Sequence, residues 1–233
     1  MMNLKQPLFT LLLAMAAGLA GAATPQGELE QVLHAIPDPQ HGESLFQVCA
    51  QCHGARGGGL PSGWVPEIAG QHPHVIAKEL VDYRHQLRWD DRMEKVAGRH
   101  LLETPQDIAD VTAYVGALRP SLQSAVGDGQ SLERGRELYA KRCSTCHGRD
   151  GQGSNAQRVP RVAGQQYGYL LRQMHDTVDG RRPNMSAMHV GLLKPLDMGE
   201  LVGVADYMSR MPQGQPPHDP RTAALAPEAF ARP

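Results

Sequence analysis

Large side chains are scarce in this chain. Only 5% of its 233 residues are aromatic, with three Phe and two Trp, and two domains of about 100 residues each would have thin cores by the surface-to-volume argument. Something besides side chains is needed to fill them, and a bound cofactor would serve. Cysteine is scarce as well, with four in all. Net charge is almost absent, 23 Lys and Arg standing against 24 Asp and Glu, and no nucleotide-binding motif or acid/base constellation is visible, so neither a nucleic-acid partner nor an ordinary catalytic centre is expected. Beyond residue 22 no apolar run reaches the roughly 20 residues that a membrane-spanning helix requires. What remains is ordinary for a soluble protein, with 41% apolar and 20% charged residues.

Residues 1–22, "MMNLKQPLFTLLLAMAAGLAGA", have one lysine, an apolar run from Leu8 to about Ala20, and a small-residue end at Ala20-Gly21-Ala22. That order is a cleavable secretory signal, too short and too glycine-rich for an anchor. The mature chain is therefore expected in the periplasm, peripheral to a membrane at most through partner complexes. Export also sets a competing expectation for the cysteines, which in an oxidising compartment would by default form two disulfides.

The cysteines are not scattered. They stand as "CAQCH" at 49–53 and "CSTCH" at 143–147. C-x-x-C-H is the attachment site of c-type haem, in which both thiols form thioethers and the histidine binds iron. Residues i and i+3 share a helix face, so Cys49 and Cys52 reach one porphyrin edge while His53 projects toward the metal, and Cys143, Cys146 and His147 repeat the arrangement. Paired C-x-x-C zinc motifs usually sit about 15 to 20 residues apart, whereas these are 94 apart. A thioredoxin-like pair leaves both histidines unexplained.

The duplication extends beyond the motif. At an offset of 94, residues 49–71 and 143–165 agree at 11 of 23 positions, including the run "VPEIAGQ"/"VPRVAGQ", which marks an internal repeat. Helical spacing predicts helices over 42–53, 74–87 and 105–118 in one half and 135–147, 167–178 and 197–211 in the other. Phe46 with Tyr114 and Tyr139 with Tyr207 mark where first and last helices cross. The organisation expected is a signal at 1–22, a domain at 23–120, a Ser/Gly/Pro-rich linker at 121–132, a second domain at 133–211 and a Pro-rich tail at 212–233.

These halves, each with C-x-x-C-H, a VPxxAGQ turn, a methionine about 40 residues on and a closing helix, resemble the tandem di-haem class I cytochromes c of the cytochrome c4 type. The resemblance covers roughly residues 38 to 211. It implies an all-α fold of two tandem class I cytochrome c domains, each wrapped around one covalent haem. It also implies a methionine as sixth ligand in each domain, and the carbonyls of Pro66 and Pro160 as acceptors for the Nδ1 protons of His53 and His147.

In the first half Met93 is the methionine between the attachment site and the closing helix, with His72, His74, His85 and His100 as rivals. Trp89 reads as packing or as a shield at the haem edge. The second half offers Met174, Met185 and Met188; Met174 falls mid-helix and reads as core, and Met188, 41 residues after His147, is preferred over Met185. Met198, Met208 and Met211 read as packing. The iron ligands expected are then His53 with Met93 and His147 with Met188.

Two six-coordinate haems leave no open position for a substrate, so the function expected is electron carriage between redox protein partners, with a dehydrogenase-bound acceptor subunit and a di-haem peroxidase as alternatives. The near-zero total hides an asymmetry: residues 23–124 hold 8 basic and 13 acidic side chains, net −5, and residues 125–233 hold 14 and 11, net +3. Arg181 and Arg182 stand out as candidates for docking on an acidic partner.

Overall fold

The computed structural model describes residues 24–121 and 124–214; the expected signal, and most of the tail, lie outside them. Ten α-helices among the described residues form two bundles. Among the described residues the sole β-type pairing is an isolated bridge between Ser154 and Val159, and no helix is long and apolar enough to cross a membrane.

In the first bundle α1 (Pro25–His34), α2 (Pro39–His53), α3 (Pro73–Arg84), a short α4 (Asp91–Val96) and α5 (Pro105–Ala117) follow one another. Four of these five begin with proline at the first turn, where the missing N–H has no intrahelical partner to lose. Thr24, Asp38 and Asp90 cap three of the helices, and Thr104 forms a capping box with Asp107. The second bundle comprises α6 (Leu132–Leu138), a π-helical turn (Tyr139–Cys143), α7 (Ser144–His147), α8 (Tyr167–Val178), α9 (Ala187–Leu193) and α10 (Met198–Ser209). Where α2 runs unbroken into the first motif, the π turn interrupts the approach to the second.

Each bundle closes where its first motif-bearing segment crosses its last helix. Phe46 and Tyr114 pack with ring centroids 5.3 Å apart, and Tyr139 and Tyr207 at 5.5 Å, as the sequence predicts. These crossings require glycine. A Cβ on Gly42 would lie 2.1 Å from the Asp110 carbonyl oxygen, and one on Gly135 would lie 1.9 Å from that of Gly203. Around the first crossing pack Leu80, Val81, Ile108 and Val115; around the second, Leu170, Met174, Leu201, Val204 and Met208.

Helix α1 is not evident in the sequence. Its Glu28 is fully buried, yet pairs with Arg84, His85 and Arg99. Burial pushes the Glu28 carboxyl up, but hydrogen bonds and charge from His85, Arg84 and Arg99 outweigh it and hold the group below its usual value.

The halves meet through the repeated VPxxAGQ segments. The Gln71 side chain donates to the Arg161 carbonyl at 2.9 Å and accepts from the Arg161 N–H at 2.8 Å. Its repeat partner Gln165 does the same to Glu67, at 2.7 and 3.0 Å. Since 67 and 71 are offset by 94 from 161 and 165, the interface is a pseudo-two-fold one, each half reading the other's backbone with the same residue.

Candidate functional site

Both motifs open onto one cavity of about 650 Å³. Its walls are largely apolar, with Leu80, Val111 and Val115 from the first half and Leu170, Leu193 and Val204 from the second.

His53 ends α2 and His147 ends α7, and a glycine follows each in the left-handed region, Gly54 and Gly148 both at φ 79°. The chain turns there and returns under the ring. His53 Nδ1 donates to the Pro66 carbonyl at 2.9 Å, and His147 Nδ1 to that of Pro160 at 2.9 Å. The loop behind each bond repeats too: the N–H of Gly59 donates to the His53 carbonyl at 2.9 Å and that of Gly153 to the His147 carbonyl at 2.8 Å. Gly153 has a φ of 67°, and a Cβ there would lie 2.3 Å from the Val159 carbonyl oxygen. With Nδ1 committed as a donor, Nε2 of each ring is the unprotonated nitrogen that can ligate a metal. Burial pushes both imidazoles below their ordinary value, against the raising effect of the prolyl carbonyls, which favours the neutral form that ligation needs.

All four cysteines are free thiols in this structure, so the disulfide alternative is not adopted by the fold. Burial pushes the thiols of Cys49 and Cys143 up to about 11, far from the lowered values of reactive thiolates. Thiols one helical turn apart, a histidine beside them with Nε2 free, and an apolar cavity in front are what a covalently held haem requires, and the residues fit that group at both positions.

Met93 is the third residue of α4 and packs against the first core. Its rivals are engaged or remote. His72 is buried rather than solvated and donates from Nε2 to the Gln152 carbonyl at 2.7 Å across the interface. His85 is bound to Glu28, His100 is exposed, and His74 is engaged. Trp89, read as packing or as a shield at the haem edge, is 60% exposed and lines the cavity.

In the second half Met174, Met208 and Met211 are buried in the core as expected. Met198 is exposed, and its sulfur accepts from His175 Nε2 at 3.1 Å. Met188, the ligand the sequence favours, is 67% exposed and is no part of the second core, but it lines the cavity, as does the half-buried Met185. Between helix and cavity stands a residue the sequence reading passed over, His189. Its ring centroid lies 6.4 Å from that of His147. Burial, with His147 and Arg182 nearby, pushes its imidazole down to about 4.

A charged cluster at the cavity edge joins the halves. Arg88, buried, binds Glu79 at 2.6 Å, the Tyr169 hydroxyl at 2.9 Å and Gln173 at 2.7 Å. Arg182 binds the other Glu79 oxygen at 2.9 Å. Arg182 is thus spent inside the molecule and is not free to dock on a partner, and Arg181 is held by Asp176 and Asp179 at 2.9 and 2.8 Å. Of the two arginines only Arg181, at 59% exposure, is open at the surface.

The family model described as Cytochrome c matches the chain twice, over residues 39–119 and 132–212. Cytochrome c4 of Thiocapsa roseopersicina is 33% identical over 190 residues, covering 76% of this chain and 95% of the relative. A crystal structure of reduced recombinant cytochrome c4 from Pseudomonas stutzeri matches with a TM-score of 0.66 at 23% identity, over 76% of this chain and 100% of that one, a likeness of fold. Thiosulfate dehydrogenase from Marichromatium purpuratum, as isolated, matches with a TM-score of 0.66 at 31% identity, over 75% of this chain and 40% of that one.

Proposed function

The chain belongs to the cytochrome c family, with two covalent c-type haems in tandem domains of the cytochrome c4 type, and from that premise we propose that it carries electrons between protein partners in the periplasm. The observation that carries this reading is that both C-x-x-C-H motifs open onto a single apolar cavity across a pseudo-two-fold interface. Cys49 and Cys52, and Cys143 and Cys146, would hold the two porphyrins as thioethers. His53 and His147 would each ligate from Nε2, kept in the right tautomer by Pro66 and Pro160, and Met93 would complete the first site. The haem iron supplies the one-electron chemistry when bound. The protein's own work is to exclude water with the apolar walls, to raise the basicity of the ligating nitrogens through the prolyl carbonyls, and to keep the two centres in fixed register, so that an electron arriving at one half can leave from the other.

Residues 1–22 would direct export and be removed, leaving Ala23 as the first residue of the mature protein. Reductive titration of the purified protein should consume two electrons per chain, with a haem content of two that survives acid-acetone extraction. A single haem, or peroxide turnover by the isolated chain, would overturn the carrier reading. The likeness to a thiosulfate dehydrogenase structure over 75% of this chain favours a second reading, an electron acceptor fixed to one dehydrogenase. Copurification with a stoichiometric enzyme partner would select it.

A further inference from the structure

We propose that the sixth ligand of the second haem iron is His189, so that the two domains differ in ligation, a sulfur from Met93 in the first and an imidazole in the second. This rests on the reading of two covalent haems given above.

Helix register supplies the first argument. Asp90 caps α4, and its carboxylate accepts from the backbone N–H of Met93 at 3.1 Å; Ser186 caps α9, and its hydroxyl accepts from the backbone N–H of His189 at 3.2 Å. Met93 and His189 are therefore the same residue of the same short helix, the third after the cap, in two halves that repeat one another. Met188 is one residue earlier, about 100° away around the helix at 3.6 residues per turn, and it is 67% exposed. If Met93 faces the first iron, the matching position in the second half is histidine.

Distance supplies the second. An imidazole nitrogen ligates a transition metal at about 2.0 Å and the ring centroid lies about 1.1 Å behind it, so two rings on opposite sides of one iron have centroids about 6.2 Å apart. The rings of His147 and His189 are 6.4 Å apart, with an interplanar angle of 65°, and both line the cavity. In addition, Nδ1 of His189 is buried with no hydrogen-bond partner, an unfavourable state for a polar group that a bond from that nitrogen to the iron would end. Of the competing side chains Met174 is in the core and His175 is turned to Met198, while Met185 and Met188 also line the cavity and are separated from His189 by the test below.

A thioether raises the reduction potential of a haem relative to an imidazole, so the second haem should have the lower potential of the two. The test is optical. Oxidised wild-type protein should show the far-red methionine-to-iron charge-transfer band, and Met93→Ala should abolish all of it. Met188→Ala and Met185→Ala should leave it unchanged, while His189→Met should roughly double it. A band that persists at about half strength in Met93→Ala and is lost in Met188→Ala or Met185→Ala would overturn the proposal, as would an unchanged band in His189→Met with both haems bound. Haem content, measured on every variant, separates this from the carrier reading: fewer than two haems in the wild type refutes that reading, whereas two haems with the wrong band pattern refutes His189.

Discussion

Replacing Glu79 by glutamine should weaken the protein by a pH-dependent amount. Burial pushes the Glu79 carboxyl up, but the charges of Arg88, Arg182 and Lys78, with the Arg88 hydrogen bond, outweigh it and bring the group from 4.5 down to about 2. A carboxyl whose folded value lies below its unfolded one stabilises the fold above the unfolded value, and that stability is lost as pH falls toward the folded one. The drop from 4.5 to about 2, at about 1.36 kcal/mol for each factor of ten in proton affinity, amounts to about 3 kcal/mol at pH 7. By the same linkage about 1.4 kcal/mol is left at pH 3. The side chains concerned are mostly shielded, at 22% exposure for Glu79, 8% for Arg88 and 15% for Arg182, so solvent screening removes little of this. Guanidinium unfolding of the holoprotein, followed by far-UV circular dichroism, should place Glu79→Gln about 3 kcal/mol below wild type at pH 7, with the gap reduced to about half at pH 3. A gap of the same size at both pH values would instead show that the loss comes from shape and hydrogen bonding and not from ionisation.

Removing both thiols of the second motif, Cys143→Ser with Cys146→Ser, should lower the mass by one haem and leave the first half loaded; loss of both haems would show that the bundles do not hold their cofactors independently. Gly153→Ala should cost about 2 kcal/mol or more, because a Cβ would be forced against the Val159 carbonyl in a left-handed backbone; a melting temperature within a degree of wild type would contradict it. Gln71→Ala and Gln165→Ala should each cost about 1–3 kcal/mol by leaving the other half's buried N–H and carbonyl unpaired, and by symmetry the costs should match to within about 0.5 kcal/mol. Clearly unequal losses would show that the interface is two-fold in geometry but not in energy.

What could be read from the sequence was what depends on local spacing. The thiol pairs, the histidines, the repeat and the two aromatic crossings all follow from residues a few positions apart or from a comparison of the chain with itself. Helix α1 was hidden because Glu28 interrupts its apolar face, and the groups that make that buried charge tolerable, Arg84, His85 and Arg99, lie more than fifty residues away. Arg182 looked like surface charge for the same reason: its partner Glu79 belongs to the other half. The VPxxAGQ repeat was legible as a turn but not as an interface, since a glutamine cannot reveal from one chain segment whose backbone it will read. Met188 drew attention because methionines were counted from the haem histidine. The proposal of His189 rests instead on the helix cap, since Asp90-x-x-Met93 and Ser186-x-x-His189 are the same start written with different residues.

The interface and the ligands point in opposite directions, and the difference bears on how such a molecule could work. Gln71 and Gln165 make the two halves equivalent as scaffolds, so the two haem sites are presented to one another in like orientation with a shared apolar cavity between them. An exchange between equal centres has no preferred direction. Direction enters only where the repeat is broken, and two of its breaks bear on the electron: the third residue of the capped short helix, methionine in one half and histidine in the other, and charge, with a net of −5 over residues 23–124 and +3 over 125–233. With imidazole on both sides of the second iron, the half-reduced protein would keep its electron on the acidic first half. An electron entering through the second domain would then run downhill to the first. Reversing the ligands, Met93→His with His189→Met, should move that electron to the second half, which a one-electron titration followed at the far-red band would register: with the methionine now on the second iron, the band should still be the first to bleach, whereas bleaching that comes second would show that the surrounding charge, and not the ligand, sets the order.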